Sequence, residues 1–425
     1  MSAYAVPLAA QQLESVQRDR LAAGVWSEAR YNYAGWDRVR ADWDSGFADL
    51  LATATLRQTD VAFWRRLRCF IALLGDGQAA ILPPASVATR VGRPPIVLRG
   101  VEGRPFLVDY LDNDEMRVAR PQRNAEILAV QGIPAEQWLR DSVLPETAGA
   151  TADARWERAI EHMLQGPAGT AVHLQLRLPG GERRGASVTR SVPLNARWRL
   201  EPPPFQVDTF PDGVVWVRLV SFDEPAVGRA FDRAFPRFTG VRGVVLDLRD
   251  AAGVGGGRET GYAILGRLVA RPLVTSRWRT PQYRPAYRGE DMPDSADAWL
   301  LVPPETIPPR ADLPVFTGPV AVLTSSRTAG TAEDLLIAFR NAGRGPIVGQ
   351  RSAGSNGQVA EFRLWRDWRL RLSVTREEFP DGTAIGGVGI APELPVEERV
   401  ADFLAGRDAV LERARAYVTE WLLQH

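Results

Sequence analysis

The chain has 425 residues, 45% of them hydrophobic, enough to bury a large core and to divide into two or three domains. Its 52 basic and 51 acidic side chains leave a formal charge of +1, a balance that argues against a dominant nucleic-acid surface. Every basic side chain is Arg, so a lysine general base, a Schiff base and a Ser-Lys dyad are excluded.

The opening MSAYAVPLAAQQLES lacks a basic region followed by a long apolar run, so no intact secretory signal is expected there. The compartment stays open: periplasmic or secreted if a signal has been removed from a bacterial-type soluble protein, otherwise cytoplasmic. No uncharged apolar run reaches 18 residues, which excludes a helical membrane span. LESVQRDRLAAGVWSEA and DVAFWRRLRCFIALLG carry apolar residues at spacings of three and four, predicting a helical subdomain over residues 1–88. The single Cys69 falls in the second run as an inert helix-core residue, and it can form neither an intrachain disulfide nor a cysteine metal cluster.

Residues 89–194 alternate short strands with one helix. PIVLRG, RPFLVDYL and AEILAVQG read as strands, and DARWERAIEHMLQG as a helix ending at Gly166. In TAVHLQLRLPGG, Val172, Leu174, Leu176 and Leu178 face one way and His173, Gln175 and Arg177 the other. A helix before the penultimate strand resembles a PDZ-like α+β module, a fold that takes a peptide as an added strand.

Over 195–415, the apolar strands VVWVRLVSF, RGVVLDLRD, GPVAVLTS and GPIVGQ alternate with the helical stretches ETGYAILGRLVA and TAEDLLIAFRNAG. That alternation predicts a layered α/β domain whose strand-end loops form the site. A proline-rich insertion with Tyr283, Tyr287 and Arg288 reads as a surface excursion, and 416–425 as a helix end or tail.

Four ordered stretches carry a family resemblance: LLGDGQAAILPP (73–84), VVLDLRDAAGVGGG (244–257), AVLTSSRTAGTAEDLLIAF (321–339), and VGQRSAGSNGQ through DGTAIGGVGIAPELPV (348–396). Together they resemble the carboxyl-terminal processing, or tail-specific, serine peptidases, a group related to the tricorn peptidase core. The resemblance implies a crotonase-like or ClpP-like layered peptidase core with a helical N-terminal part and a PDZ-like insert. It also implies a nucleophilic Ser three residues before a Glu, yet counting back from Glu333 lands on Gly330, which has no atom able to attack a carbonyl. One branch of the family uses a Lys base at a position matching Ser355; another uses a His in a segment matching Gly75 to Gln78, where Gln78 is no base near neutral pH. The third element, a carboxylate, matches Gly386. The simultaneous absence of Lys and of a placed His exceeds what one inactivating substitution would produce.

The three histidines offer no substitute: His162 falls on the predicted helix, His173 on a strand's polar face, and His425 is the last residue. In the family the glycine-rich loop offers backbone N–H groups to a developing oxyanion, here Gly255, Gly256 and Gly257 with the Thr331 amide. Without a nucleophile these groups would still bind a carboxylate or a peptide carbonyl. Thr331, Ser325, Ser326, Ser352 and Ser355 supply alternative hydroxyls; Asp76, Asp250, Glu333, Asp334 and Asp381 supply alternative carboxylates. Glu333 and Asp334 suit a first helical turn on electrostatic grounds alone. No zinc or calcium spacing and no phosphate-loop motif is present, so no metal or other cofactor is expected.

Three functions compete. The first is a peptidase-like protein binding a peptide, protein tail or small ligand through Gly255, Gly256, Gly257, Gly330, Thr331, Gln78 and Ser355. The second is an active hydrolase using rearranged residues, and the third a structural assembly component. Nucleic acid is not an expected partner, and homo-oligomerisation stays open.

Overall fold

The computed structural model describes residues 12–425 except 120, 197–201, 223, 239, 253–256, 284–297 and 310–313. The first helix, Ser15–Asn32, starts from a capping box between Glu14 and Gln17 and buries Leu21, Ala22, Val25 and Ala29 at helical spacing. Asp42 and Thr59 cap the next two helices, Trp43–Ala54 and Asp60–Ala72, by accepting from Ser45 N and Ala62 N. Cys69, on the third, is only half-buried.

These helices do not close a core among themselves. Phe63, Trp64, Leu67 and Phe70 share one with Trp368, Leu370 and Leu372 of the late hairpin Val359–Trp365 and Trp368–Ser373. A short strand, Ala80–Leu82, pairs antiparallel with that hairpin, Ile81 opposite Leu370. The expected helical subdomain therefore includes a strand and leans on residues from the far end of the chain.

The middle region holds a sheet ordered Ile96–Val101, Arg104–Tyr110, Ala125–Val130, Ala171–Arg177, Arg183–Thr189. Val172, Leu174 and Leu176 are buried while His173 and Gln175 are exposed, as the alternation predicts. The helix over this sheet, Ala152–His162, stops four residues short of Gly166. Gln165 N turns back onto His162 O (2.9 Å), and Gly166–Pro167 leaves as a short strand paired with Val91–Arg93.

The last region is built on a six-stranded sheet. Phe205–Thr209 pairs antiparallel with Val214–Leu219, followed in parallel by Gly243–Asp247, Val320–Thr324, Ile347–Gly349 and Leu394–Pro395. Strands covered on both faces read as continuous apolar runs, which is why GVVLD is buried throughout. Helices Pro225–Ala234, Arg258–Leu265 and Thr331–Asn341 pack on one face, and Ala409–Gln424 covers the other through Val410, Ala414 and Val418. Residues 416–424 thus continue a packed helix, and a boundary at 415 cuts through it.

Candidate functional site

The strand Val320–Thr324 leads through a tight turn into the helix Thr331–Asn341. Ser325 Oγ donates to Arg249 O (2.6 Å), Thr328 Oγ1 to Leu248 O (2.8 Å) and Ala329 N to Ala251 O (2.9 Å), so the turn is riveted to the end of the neighbouring strand. At its apex Gly330 adopts φ 61°, ψ −127°. This elbow is the turn at which the family resemblance expects a nucleophile, in a positive-φ conformation that glycine adopts freely and an L side chain does not.

Gln78 and Ser355 arrive at the same point. The Ser355 carbonyl accepts from Gly330 N (2.8 Å) and from Gln78 Nε2 (3.2 Å), while Gln78 Nε2 also donates to Gly357 O (3.2 Å). Three positions matched to nucleophile and bases from three distant segments thus meet on one carbonyl oxygen. Gln78, Ser355 and Asn356 are all buried. Gln78 Oε1, Ser355 Oγ and both polar atoms of the Asn356 amide have no protein partner.

The alternative carboxylates near this point are committed. Asp76 accepts from Gln78 N (2.9 Å), Ser373 N (3.0 Å) and Ser373 Oγ (2.9 Å). Glu333, fully buried, accepts from Gly354 N (2.7 Å), Ser355 N (2.9 Å) and Ser352 Oγ, bracing the loop at 352–355 against the elbow helix. Burial pushes Glu333 up to about 7, and the hydrogen bonds from Ser352, Gly354 and Ser355 pull the other way. Asp250 is held well below the usual range: burial raises it, but Arg327, Arg218 and Arg99 outweigh that. Its partners Arg327 (2.9 Å) and Arg218 (2.7 Å) make it part of an ion network. Asp381 is engaged with Thr383 N in an exposed turn.

Gly386 does not join the cluster as an acid's seat. A Cβ there would stand 1.8 Å from the Arg38 guanidinium, so Arg38 fills the space a side chain would need. Gly257 lies across the cleft, in the left-handed region at φ 76°, where a Cβ would meet Phe222 O at 2.0 Å. Gly255 and Gly256, as well as Tyr287 and Arg288, lie outside the described residues. Gly257, Gly330 and Thr331 all line one polar cavity of about 250 Å³. Ser326 opens instead onto a cavity of about 690 Å³ between the middle sheet and the core, shared with Gly100, Trp156 and Arg351. There Glu157 already accepts from Gly100 N (3.1 Å), so the end of the edge strand Ile96–Val101 is partly occupied.

The histidines stay apart. His162 lines a third cavity, of about 530 Å³, and burial, with Arg68 and Arg158 adding, pushes it down to about 3. His173 is exposed and His425 stacks on Trp421. Sequence reasoning missed a buried cluster in which Arg258 bridges Asp334 (3.1 Å) and Glu377 (2.6 Å). The only signal for it was the run of three charged residues Arg376–Glu378, which forms a short strand buried at every position. Among the described residues no group of three His, Cys, Asp or Glu gathers as a metal site, and no helix is long and apolar enough to cross a membrane.

Comparison with known proteins agrees with this fold. Residues 213–396 match the model of peptidase family S41. The chain is 29% identical over 239 residues, 55% of its length, to carboxyl-terminal-processing peptidase 2, chloroplastic, of Arabidopsis thaliana. It is 26% identical over 262 residues, 57% of its length, to the chloroplastic C-terminal processing peptidase of Tetradesmus obliquus. The aligned stretches span 42% and 49% of those two proteins, less than half of each. Among solved structures, mature CPAF complexed with lactacystin superposes with a TM-score of 0.73 at 15% identity, covering 95% of this chain and 98% of that one. The photosystem II D1 C-terminal processing protease gives 0.51 at 18% identity, covering 90% and 93%. The chain has the peptidase family S41 fold of the C-terminal-processing peptidases.

Proposed function

We propose that this protein uses a peptidase scaffold to bind an extended peptide, a protein tail or a small ligand in the retained cleft without ordinary serine hydrolysis. The observation that carries this reading is the Ser355 carbonyl, which accepts from the bare Gly330 amide and from the Gln78 carboxamide. Acyl transfer needs a nucleophile and a base within hydrogen-bond reach. Gly330 supplies no nucleophile, and Gln78 is a neutral amide whose Nε2 is turned to two backbone carbonyls. Glu333 and Asp76, each receiving three hydrogen bonds, are braces for the loops that shape the cleft. The polar cavity lined by Gly257, Gly330 and Thr331 is the space in which a ligand carbonyl or carboxylate would sit. We further infer a crotonase-like or ClpP-like core over 195–415, supported by its five parallel strands and the helices on both faces, beside a PDZ-like module over 89–194 and an N-terminal subdomain over 1–88.

The test is to incubate the purified chain with an unstructured peptide library, reading cleavage by mass spectrometry and binding by fluorescence anisotropy. Saturable binding without turnover is expected, and Gly330→Ser with Gln78→His should gain turnover. Turnover by the unaltered chain that survives repurification and is lost in Thr331→Val overturns the proposal.

A further inference from the structure

The polar cavity beside the elbow is bounded by Gly330, Thr331 and Asp334 on one side and by Gly257, Arg258 and Gln358 on the other. Its wall carries unbalanced charge. Asp334 and Glu377 share the single Arg258 guanidinium, at 3.1 Å and 2.6 Å, and Glu259 lines the same cavity. Two carboxylates, Asp334 and Glu259, line the cavity beside the one cation Arg258, whose charge is further divided with Glu377 behind the wall.

Arg258 is held between its two acids, and only one arm of Asp334 is spent on it. Asp334 Oδ2 takes the guanidinium; Asp334 Oδ1 is buried and has no protein partner. The hydroxyl of Tyr262, one turn along the helix that carries Arg258, is likewise buried and unpartnered. Asp334 is 5% exposed and Tyr262 8%. A buried carboxylate oxygen without a donor carries the full cost of its lost hydration, and an N–H or O–H donor that reaches it removes that cost. An excess of negative charge combined with orphaned acceptors selects a cationic donor over a neutral one.

We propose that this cavity is a subsite for a basic side chain, a guanidinium or ammonium group, belonging to the peptide held in the cleft. The proposal rests on the groove-binding reading and adds the class of residue that the groove selects. The group at issue is faced by Arg258 and Tyr262 from one helix, Glu377 from the strand Arg376–Glu378, and Glu333 on its own helix. Burial and the Glu377 charge push Asp334 well above the usual carboxylate range, Arg258 opposes them, and Glu333 adds to the rise. Asp334 thus holds a proton more tightly than an ordinary carboxyl does, and a cationic group placed beside it favours the ionised form.

The experiment is isothermal titration calorimetry at pH 8 with three probes: a blocked pentapeptide with arginine amid alanines, its citrulline twin, and agmatine. In the unaltered chain the arginine peptide should bind at least tenfold more tightly than the citrulline peptide, about 1.4 kcal/mol. Asp334→Asn should collapse the arginine-to-citrulline ratio to within about twofold, and Tyr262→Phe should lower it severalfold. Equal affinities for the two peptides in the unaltered chain overturn the proposal while leaving groove binding intact, as does a ratio that survives Asp334→Asn. Binding of agmatine that Asp334→Asn abolishes, with no binding of either peptide, upholds the cationic subsite and overturns the groove reading. No binding of any probe overturns both.

Discussion

Replacing Glu333 with Gln tests whether that residue is a brace whose charge is costly or a base whose charge is used. Its carboxyl moves from an ordinary 4.5 to about 7 in the folded chain, burial being the larger cause and three donated hydrogen bonds the smaller opposing one. A raised carboxyl binds its proton more tightly in the folded state. Its stabilising contribution is therefore complete below about pH 4.5 and is lost as pH rises to about 7. A shift of about 2.5 units corresponds to roughly 3 kcal/mol. His162 runs in the opposite sense, since its depressed value removes stability as pH falls below about 6.5. The absolute stability curve mixes the two, and the difference between variant and parent isolates Glu333. Urea denaturation followed by tryptophan fluorescence from pH 4.5 to 8 should show Glu333→Gln gaining roughly 3 kcal/mol on the parent across that span, with no further change above about pH 8. A difference that stays flat with pH refutes the assignment of a buried, proton-accepting brace.

Two other substitutions probe the frame of the site. Gly330→Ala should cost roughly 1–3 kcal/mol in chemical denaturation, because an L side chain is strained at φ 61°; the Gly330→Ser restoration carries the same cost, and no loss of stability contradicts the elbow geometry. Arg327→Met should cost roughly 1–3 kcal/mol, since it removes the buried guanidinium that Asp250 and Glu157 share while Arg218 still pairs Asp250. A denaturation midpoint unchanged from the parent counts against that network.

The sequence made the strands and most of the helices readable because their burial imposes periodicity. The run GVVLD is apolar at every position since both faces of its sheet are covered, and the alternation in AVHLQLR reports a sheet with one wet face. Order along the chain brought Gly330, Gln78 and Ser355 under suspicion, but their convergence on one carbonyl is a fact of tertiary folding that no local pattern encodes. The same holds for Glu377, which nothing in the local sequence singles out from its charged neighbours and which is buried against Arg258. Gly386 shows the converse: a glycine matched to a missing carboxylate turns out to leave room for an arginine from the first forty residues. Gly166 is a good helix terminator by composition, yet the helix ends at His162 because pairing of Gly166–Pro167 with Val91–Arg93 draws the chain away earlier.

The pairing of Ile81 with Leu370 has a consequence for how the chain comes into being. The two residues lie roughly 290 positions apart, and at ribosomal speeds of about 5–20 residues per second the second follows the first by roughly 15 to 60 s. Throughout that interval the apolar faces of the first three helices, with Phe63, Trp64 and Leu67, wait without the hairpin that covers them. The amino-terminal segment is thus made first and finished late, and a nascent chain of this protein presents a sticky surface that an escorting chaperone is suited to shield.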